Sequence, residues 1–172
     1  MPVKEILLLG NPILREQCSA VKNVRANEIV ETITNLRDTL IDFRARQKFG
    51  RGIAAPQIGS TKQVIYIDFE YKGALINPRI TRRSRQKFTL WDDCFSFPDL
   101  LVKVVRNYSI RVAYLDESGE RKTLRADGAL SELLQHEIDH VNGILAVDRA
   151  VDSKHIILRS EYEKLRKTET VM

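Results

Sequence analysis

The chain has 172 residues, 43% of them hydrophobic and 30% charged, with a net charge of +5 and two cysteines. That balance excludes a disordered tract, and no apolar run approaches the roughly 20 residues that a membrane-spanning helix needs. Two distant cysteines argue against a disulfide framework and for a reducing, cytoplasmic compartment, and the length suits one domain over residues 1–172.

The opening "MPVKEILLLGNP" has one lysine and a short apolar strip with no small-residue cleavage site, so it reads as a first strand or turn, not a signal peptide. Residues 26–46 place Ile29, Ile33, Leu36, Leu40 and Phe43 on one stripe, which predicts a long amphipathic helix. The glycines of "KFGRG" break it. "QVIYIDF" reads as a buried strand, and "GALINPRI" as a second strand stopped by Asn77-Pro78. "YSIRVAYLDESGERKTLRA" alternates, turns at Glu117-Ser118-Gly119 and returns, which predicts a hairpin. A second helix is expected over about 128–142, capped by Asp127 and stopped at Gly143, with Leu130, Leu134, Ile138 and Val141 as its core stripe. The tail predicts a third helix over about 153–167. This order of elements argues for an α+β fold.

Basic residues gather in "RARQKFGR", "RITRRSRQK" and "KLRK". No aromatics are interleaved with them on a sheet and no nucleic-acid motif accompanies them, so they read as solvated faces before an RNA-facing surface. No DNA or membrane partner is expected.

The strongest chemical signal is "HEIDH", residues 136–140, inside the second helix. Histidines four apart project from one helix face and suit one divalent ion, while Glu137 beside them suits a general base for a water on that ion. A catalytic centre of this kind takes a third protein ligand. A histidine beyond Gly143 would fall at Ala146, so that extension fails. Glu161, Glu163 and His155 are candidates in the tail, and Cys94 is another. Cys94 follows two aspartates in "WDDCFSFPDL", surroundings that oppose a thiolate unless a cation compensates; a metal would supply that charge.

Three segments in order, "GRGIAAPQIG" at 50–59, "DDCFS" at 92–96 and "QHEIDHVNG" at 135–143, resemble the peptide deformylase pattern of a GxGxAAxQ segment, EGCLS and an HExDH helix. "GNPILR", "INP" and "SFP" add lesser matches, so the resemblance runs from about residue 8 to 147. It implies antiparallel strands packed around a central HExxH helix, with an N-terminal and a C-terminal helix. It also implies a hydrolase that removes formyl from the N-terminal formylmethionine of nascent polypeptides. On this resemblance Cys94, His136 and His140 hold one divalent metal, Fe(II) in the cell with Zn(II) or Ni(II) accepted. Glu137 moves the proton, and Gln57 with the backbone N–H of Phe95 stabilises the oxyanion. The basic C-terminal helix is expected to dock on the ribosome.

The chain departs from the pattern inside the site. Asp92 stands for glutamate, Asp93 for glycine and Phe95 for leucine. Gly50, Arg51, Gly52, Asp93 and Glu132 are the expected substrate-binding positions, and Arg51 and Glu132 put charge where an apolar wall is usual. The two are expected to pair with each other or with Asp92, and to alter side-chain preference. A non-catalytic metal protein that binds a partner, and a metallopeptidase using Glu161, are the rival readings.

Overall fold

A computed structural model describes residues 3–169. The strands form a five-stranded antiparallel sheet and a three-stranded antiparallel sheet. Helix α1, Asn27–Gln47, buries the whole predicted stripe and ends where Lys48 turns left-handed. The first sheet comprises β1 (Gly52–Ala54), β2 (Val64–Phe69), β3 (Tyr71–Arg83), β6 (Ser109–Leu115) and β7 (Arg121–Asp127). Its β6–β7 pair is the expected hairpin, with Ser109 opposite Asp127 and Leu115 opposite Arg121.

Alternation along these strands sorts side chains to two faces. Ile65, Ile67, Leu75, Ile110, Val112 and Tyr114 pack against α2, Gly128–Val141. Ile53, Val64, Tyr66, Ala74 and Ile76 pack against α1 on the opposite face. Helix α1 therefore covers only the β1–β3 end of its face, whereas α2 lies across the other face as far as β6 and β7, and every residue of α2 from Leu130 onward is buried. Strands β4 (Lys87–Asp92), β5 (Leu100–Asn107) and β8 (Ile156–Leu158) form the second sheet, beneath which Leu14, Cys94, Phe97, Val102 and Leu145 make a smaller core.

Of the two alternatives for the N-terminal strip, the structure has the turn, at Leu9-Gly10, and no strand. Three other local expectations need correction. Asn77-Pro78 does not stop β3: the register shifts between Ile76 and Arg79, Asn77 takes φ 51°, and its side chain bonds both the N–H and the carbonyl of Val21, so the strand bulges and continues. Asp127 occupies the N-cap position of α2 without a side-chain capping bond; Gly128 N–H instead donates to the Tyr108 carbonyl. The third helix begins later than expected, because residues 153–158 form a 3-10 turn and β8 before α3, Arg159–Glu169.

Candidate metal centre

A helix buried all round must partner its polar groups, and α2 does so almost completely. Ser131 and Gln135 bond the backbone of Asn107, Asp139 receives Arg106 at 2.6 Å and Arg149 at 2.8 Å, and Glu132 receives Arg51 at 2.6 Å. His136 Nδ1 meets Asp92 Oδ2 at 2.9 Å, and Arg106 reaches the same carboxylate oxygen at 3.3 Å. Two α2 side-chain atoms stay buried without a partner, Glu137 Oε2 and His140 Nδ1.

The remaining faces of the histidines converge. His140 Nε2 lies 3.2 Å from His136 Nε2 and 3.3 Å from Cys94 Sγ. The three ligand atoms lie within 4.8 Å of one another and all three residues are buried. Bonds of 2.0–2.3 Å to a tetrahedral ion place neighbouring ligand atoms about 3.4 Å apart. The donor set, one sulfur and two imidazole nitrogens, therefore fits a divalent transition metal in spacing and in chemistry. Asp92, Glu132 and His136 form a second close group, but both carboxylates there already face guanidinium groups, Arg106 and Arg51. The tail candidates lie elsewhere: Glu161 is exposed and paired with Lys164, and His155 sits on Asp152.

Electrostatics separates the two rings. Burial opposes charge on His136, yet Asp92 outweighs it and holds the pKa well above the ordinary histidine range. Burial, joined by the charge on His136, pushes His140 well below that range. Burial also raises Glu137, against the pull of His136 and with help from Asp92 and Glu132, to about 7. A carboxyl poised there can take a proton and return it near neutral pH.

Gln57 comes from a 3-10 turn, Ala55–Ile58. Its Oε1 accepts the Ala54 N–H at 2.9 Å, which fixes the amide so that Nε2 faces Cys94 Sγ at 3.6 Å and Ser96 Oγ at 3.2 Å. The Ser96 N–H points to the Cys94 sulfur at 3.5 Å, whereas the Phe95 N–H has no protein acceptor among the described residues. The bulk of Phe95 is absorbed by the core: its ring stacks on Phe43 with centroids 3.8 Å apart. The extended N-terminal strip holds both loops, with Leu7 N–H donating to the Gln57 carbonyl and Leu9 N–H to the Ser96 carbonyl, each at 2.8 Å.

A cleft of about 510 Å³ opens over these groups. All five expected substrate-binding positions line it, with Gln57, Cys94, His136 and Glu137. Gly50 is sterically required there, and Gly52 is closely packed. A Cβ on Gly50, where φ is +124°, would lie 2.4 Å from the Phe95 ring, and one on Gly52 would lie 3.0 Å from Glu137 Oε1. Arg51 and Glu132 pair with each other, and Arg51 also lies over the Phe69 ring. Asp92 is taken by His136 and Arg106 instead. Asp93 does not adopt positive φ, and Arg159 at the start of α3 holds it at 3.0 Å.

Arg106 was missed by sequence reasoning. It shares a strand face with Val102 and Val104 and is 4% exposed, so an arginine on the apolar side of "LLVKVVRN" was the available signal.

The polypeptide deformylase family model matches residues 3–155. The chain belongs to that family. Deformylases are metal-dependent hydrolases, and the cluster above is a candidate metal centre of that kind. The peptide deformylase of Prochlorococcus marinus is 38% identical over 159 residues, 89% of this chain and 75% of its own. That of Desulfitobacterium hafniense is 39% identical over 153 residues, 87% and 96% respectively. Among solved structures, a Synechococcus elongatus peptide deformylase in complex with actinonin superimposes with a TM-score of 0.81 at 35% identity, over 90% of this chain and 82% of its own. An Acinetobacter baumannii peptide deformylase bound to Met-Ala-Ser gives 0.79 at 27% identity, over 87% and 99%. No helix of the described residues is long and apolar enough to cross a membrane.

Proposed function

We propose that this chain hydrolyses the N-formyl group from the N-terminal formylmethionine of nascent polypeptides and releases formate. The observation that carries the reading is the convergence of Cys94 Sγ, His136 Nε2 and His140 Nε2 beside the buried, partnerless carboxylate oxygen of Glu137. Cys94, His136 and His140 hold one divalent ion, Fe(II) in the cell, with Zn(II) and Ni(II) as substitutes. The ion supplies Lewis acidity toward a water and the formyl carbonyl.

The protein groups do the rest. Glu137 accepts the proton of the attacking water and delivers it to the amine nitrogen as the C–N bond breaks, a double use that its pKa of about 7 favours. The Gln57 amide, fixed by Ala54, and the free Phe95 N–H donate to the formyl oxygen as it gains charge, each worth about 3 kcal/mol in the transition state. Asp92 fixes the His136 ring so that Nε2 faces the centre.

Met-Ala-Ser bound to the Acinetobacter relative supports a methionine-led peptide in the cleft. The Arg51–Glu132 pair favours a shifted side-chain preference, since a charge-paired wall gains less from a thioether than an apolar one. The enzyme acts in the cytoplasm as one domain, and the basic tail helix α3 docks it at the ribosome.

Formate release from formyl-Met-Ala-Ser and a panel of other formylated peptides, with metal content measured on the same sample, tests the reading. Metal bound without formate from any peptide would overturn it in favour of a binding protein; unchanged methionine preference would remove the altered-specificity part.

A further inference from the structure

The face of the five-stranded sheet that carries α1 is covered only at its β1–β3 end. Beyond the bulge at Asn77, the same face of β3, β6 and β7 is bare and carries arginines in register. Arg82 is the cross-strand partner of Arg111, and Arg111 of Arg125. Arg79 and Arg121 lie on the same face, opposite Ala113 and Leu115. All five are exposed. Among the described residues Arg79, Arg82, Arg111 and Arg121 have no carboxylate partner, and Arg125 reaches Asp127 only at 4.0 Å. The nearby hairpin acids Asp116 and Glu120 are taken up by Lys122.

Like charges directly opposite on neighbouring strands destabilise a sheet. A row of three, about 10 Å across at ordinary strand spacing, therefore works against the fold. We infer that this bare half-face is a docking surface for the phosphate backbone of structured RNA. Every cation on it is arginine, whose planar fork matches phosphate oxygens in pairs. Beside the arginines, Ala113 and Thr123 offer no ring for stacking on a base, Leu115 packs toward the α1 core, and the one carboxylate, Asp127, stands at the end of β7, so contact is to backbone and independent of sequence. A broad face of three strands fits the wide, shallow minor groove of an A-form duplex better than either groove of B-DNA. The surface is on the far side of the sheet from α2, so bound RNA leaves the cleft open. This inference stands independently of the deformylation reading.

Fluorescence anisotropy with a labelled RNA hairpin, a DNA duplex of the same sequence and polyglutamate, each at several salt concentrations, tests it on the full chain. We expect RNA binding with a slope of log affinity against log salt of about −3, roughly one unit for each of three phosphates. The Arg82→Ala, Arg111→Ala, Arg125→Ala triple variant should lose at least about ten-fold in affinity and most of that slope. Its Tm should be unchanged or higher, since like-charge repulsion is removed, and its rate on a short formyl peptide should not change. The inference is overturned by absent RNA binding, by a triple variant that binds as well as the parent, or by DNA bound as tightly as RNA. Tighter binding of polyglutamate would assign the face to an acidic protein, and loss only on truncating α3 would assign RNA binding to the tail.

Discussion

Asp92 Oδ2 lies 2.9 Å from His136 Nδ1, and the buried guanidinium of Arg106 closes the same carboxylate from behind. This relationship orients the imidazole and sets which nitrogen faces the centre. Asp92→Asn keeps the shape and removes the charge. Metal affinity, measured by competition with a chelator, should fall about 10- to 100-fold with the far-UV circular dichroism unchanged. Equal affinity in the variant would show that the pair does not tune the ligand.

Cys94→Ser and Glu161→Ala separate the two candidate third ligands. The serine variant should purify with little metal, while Glu161→Ala, which removes an exposed partner of Lys164, should keep its full content. The reverse pattern by elemental analysis would reassign the centre.

The buried carboxyl of Glu137 makes stability of the metal-free protein depend on pH. Its folded pKa of about 7 stands above the ordinary 4.5, so between these values the unfolded chain binds fewer protons than the folded one. Stability therefore falls as pH rises through that window, and the full cost, up to about 3 kcal/mol, is present above pH 7. Glu137→Gln should raise the Tm of metal-free protein at pH 8 and not at pH 4, while abolishing formate release. A Tm gain of the same size at both pH values would contradict the assignment.

Gly52→Ala sets a methyl 3.0 Å from Glu137 Oε1 and 2.9 Å from Ile67 Cδ1. Displacing the proton-carrying carboxylate by a fraction of an ångström to one ångström should lower kcat by up to about 100-fold with a smaller change in KM. A kcat equal to the parent's would mean that the carboxylate has room to spare.

Arg51→Ala strands Glu132, which is 3% exposed, and should cost about 3–5 kcal/mol in denaturant unfolding. The Arg51→Leu, Glu132→Leu double variant should recover most of that loss and raise kcat/KM for formyl-methionine peptides relative to other formyl peptides. A double variant as unstable as the single would show that the two charges act separately.

Both long helices were readable because each buries a stripe at helical spacing, and the His-x-x-x-His pair was readable because it lies on one of them. The α+β class followed from the order of elements. The second sheet was not readable: β4 pairs with the next strand, β5, across the irregular loop that carries Cys94, and β8 joins β5 from a distant part of the chain. At Asn77 the local turn signal lost to tertiary bonding, because the side chain found both backbone groups of Val21. "HEIDH" and the cysteine segment could be matched as motifs, but Arg106 carries no motif and is defined only by what it touches. The start of α3 was misplaced because Leu100–Val102 pairs with residues 156–158 and draws them into a strand.

Leu7 and Leu9 each give one backbone N–H, the first to the turn bearing Gln57 and the second to the loop bearing Cys94. The gap between the amide that meets the substrate oxygen and the sulfur beneath it is thus spanned by three consecutive residues of a segment that belongs to no sheet. Such a span is a mechanical link. Tension or a bulky fusion applied ahead of it would be transmitted to both loops at once, and would register in turnover before it registered in the stability of either sheet.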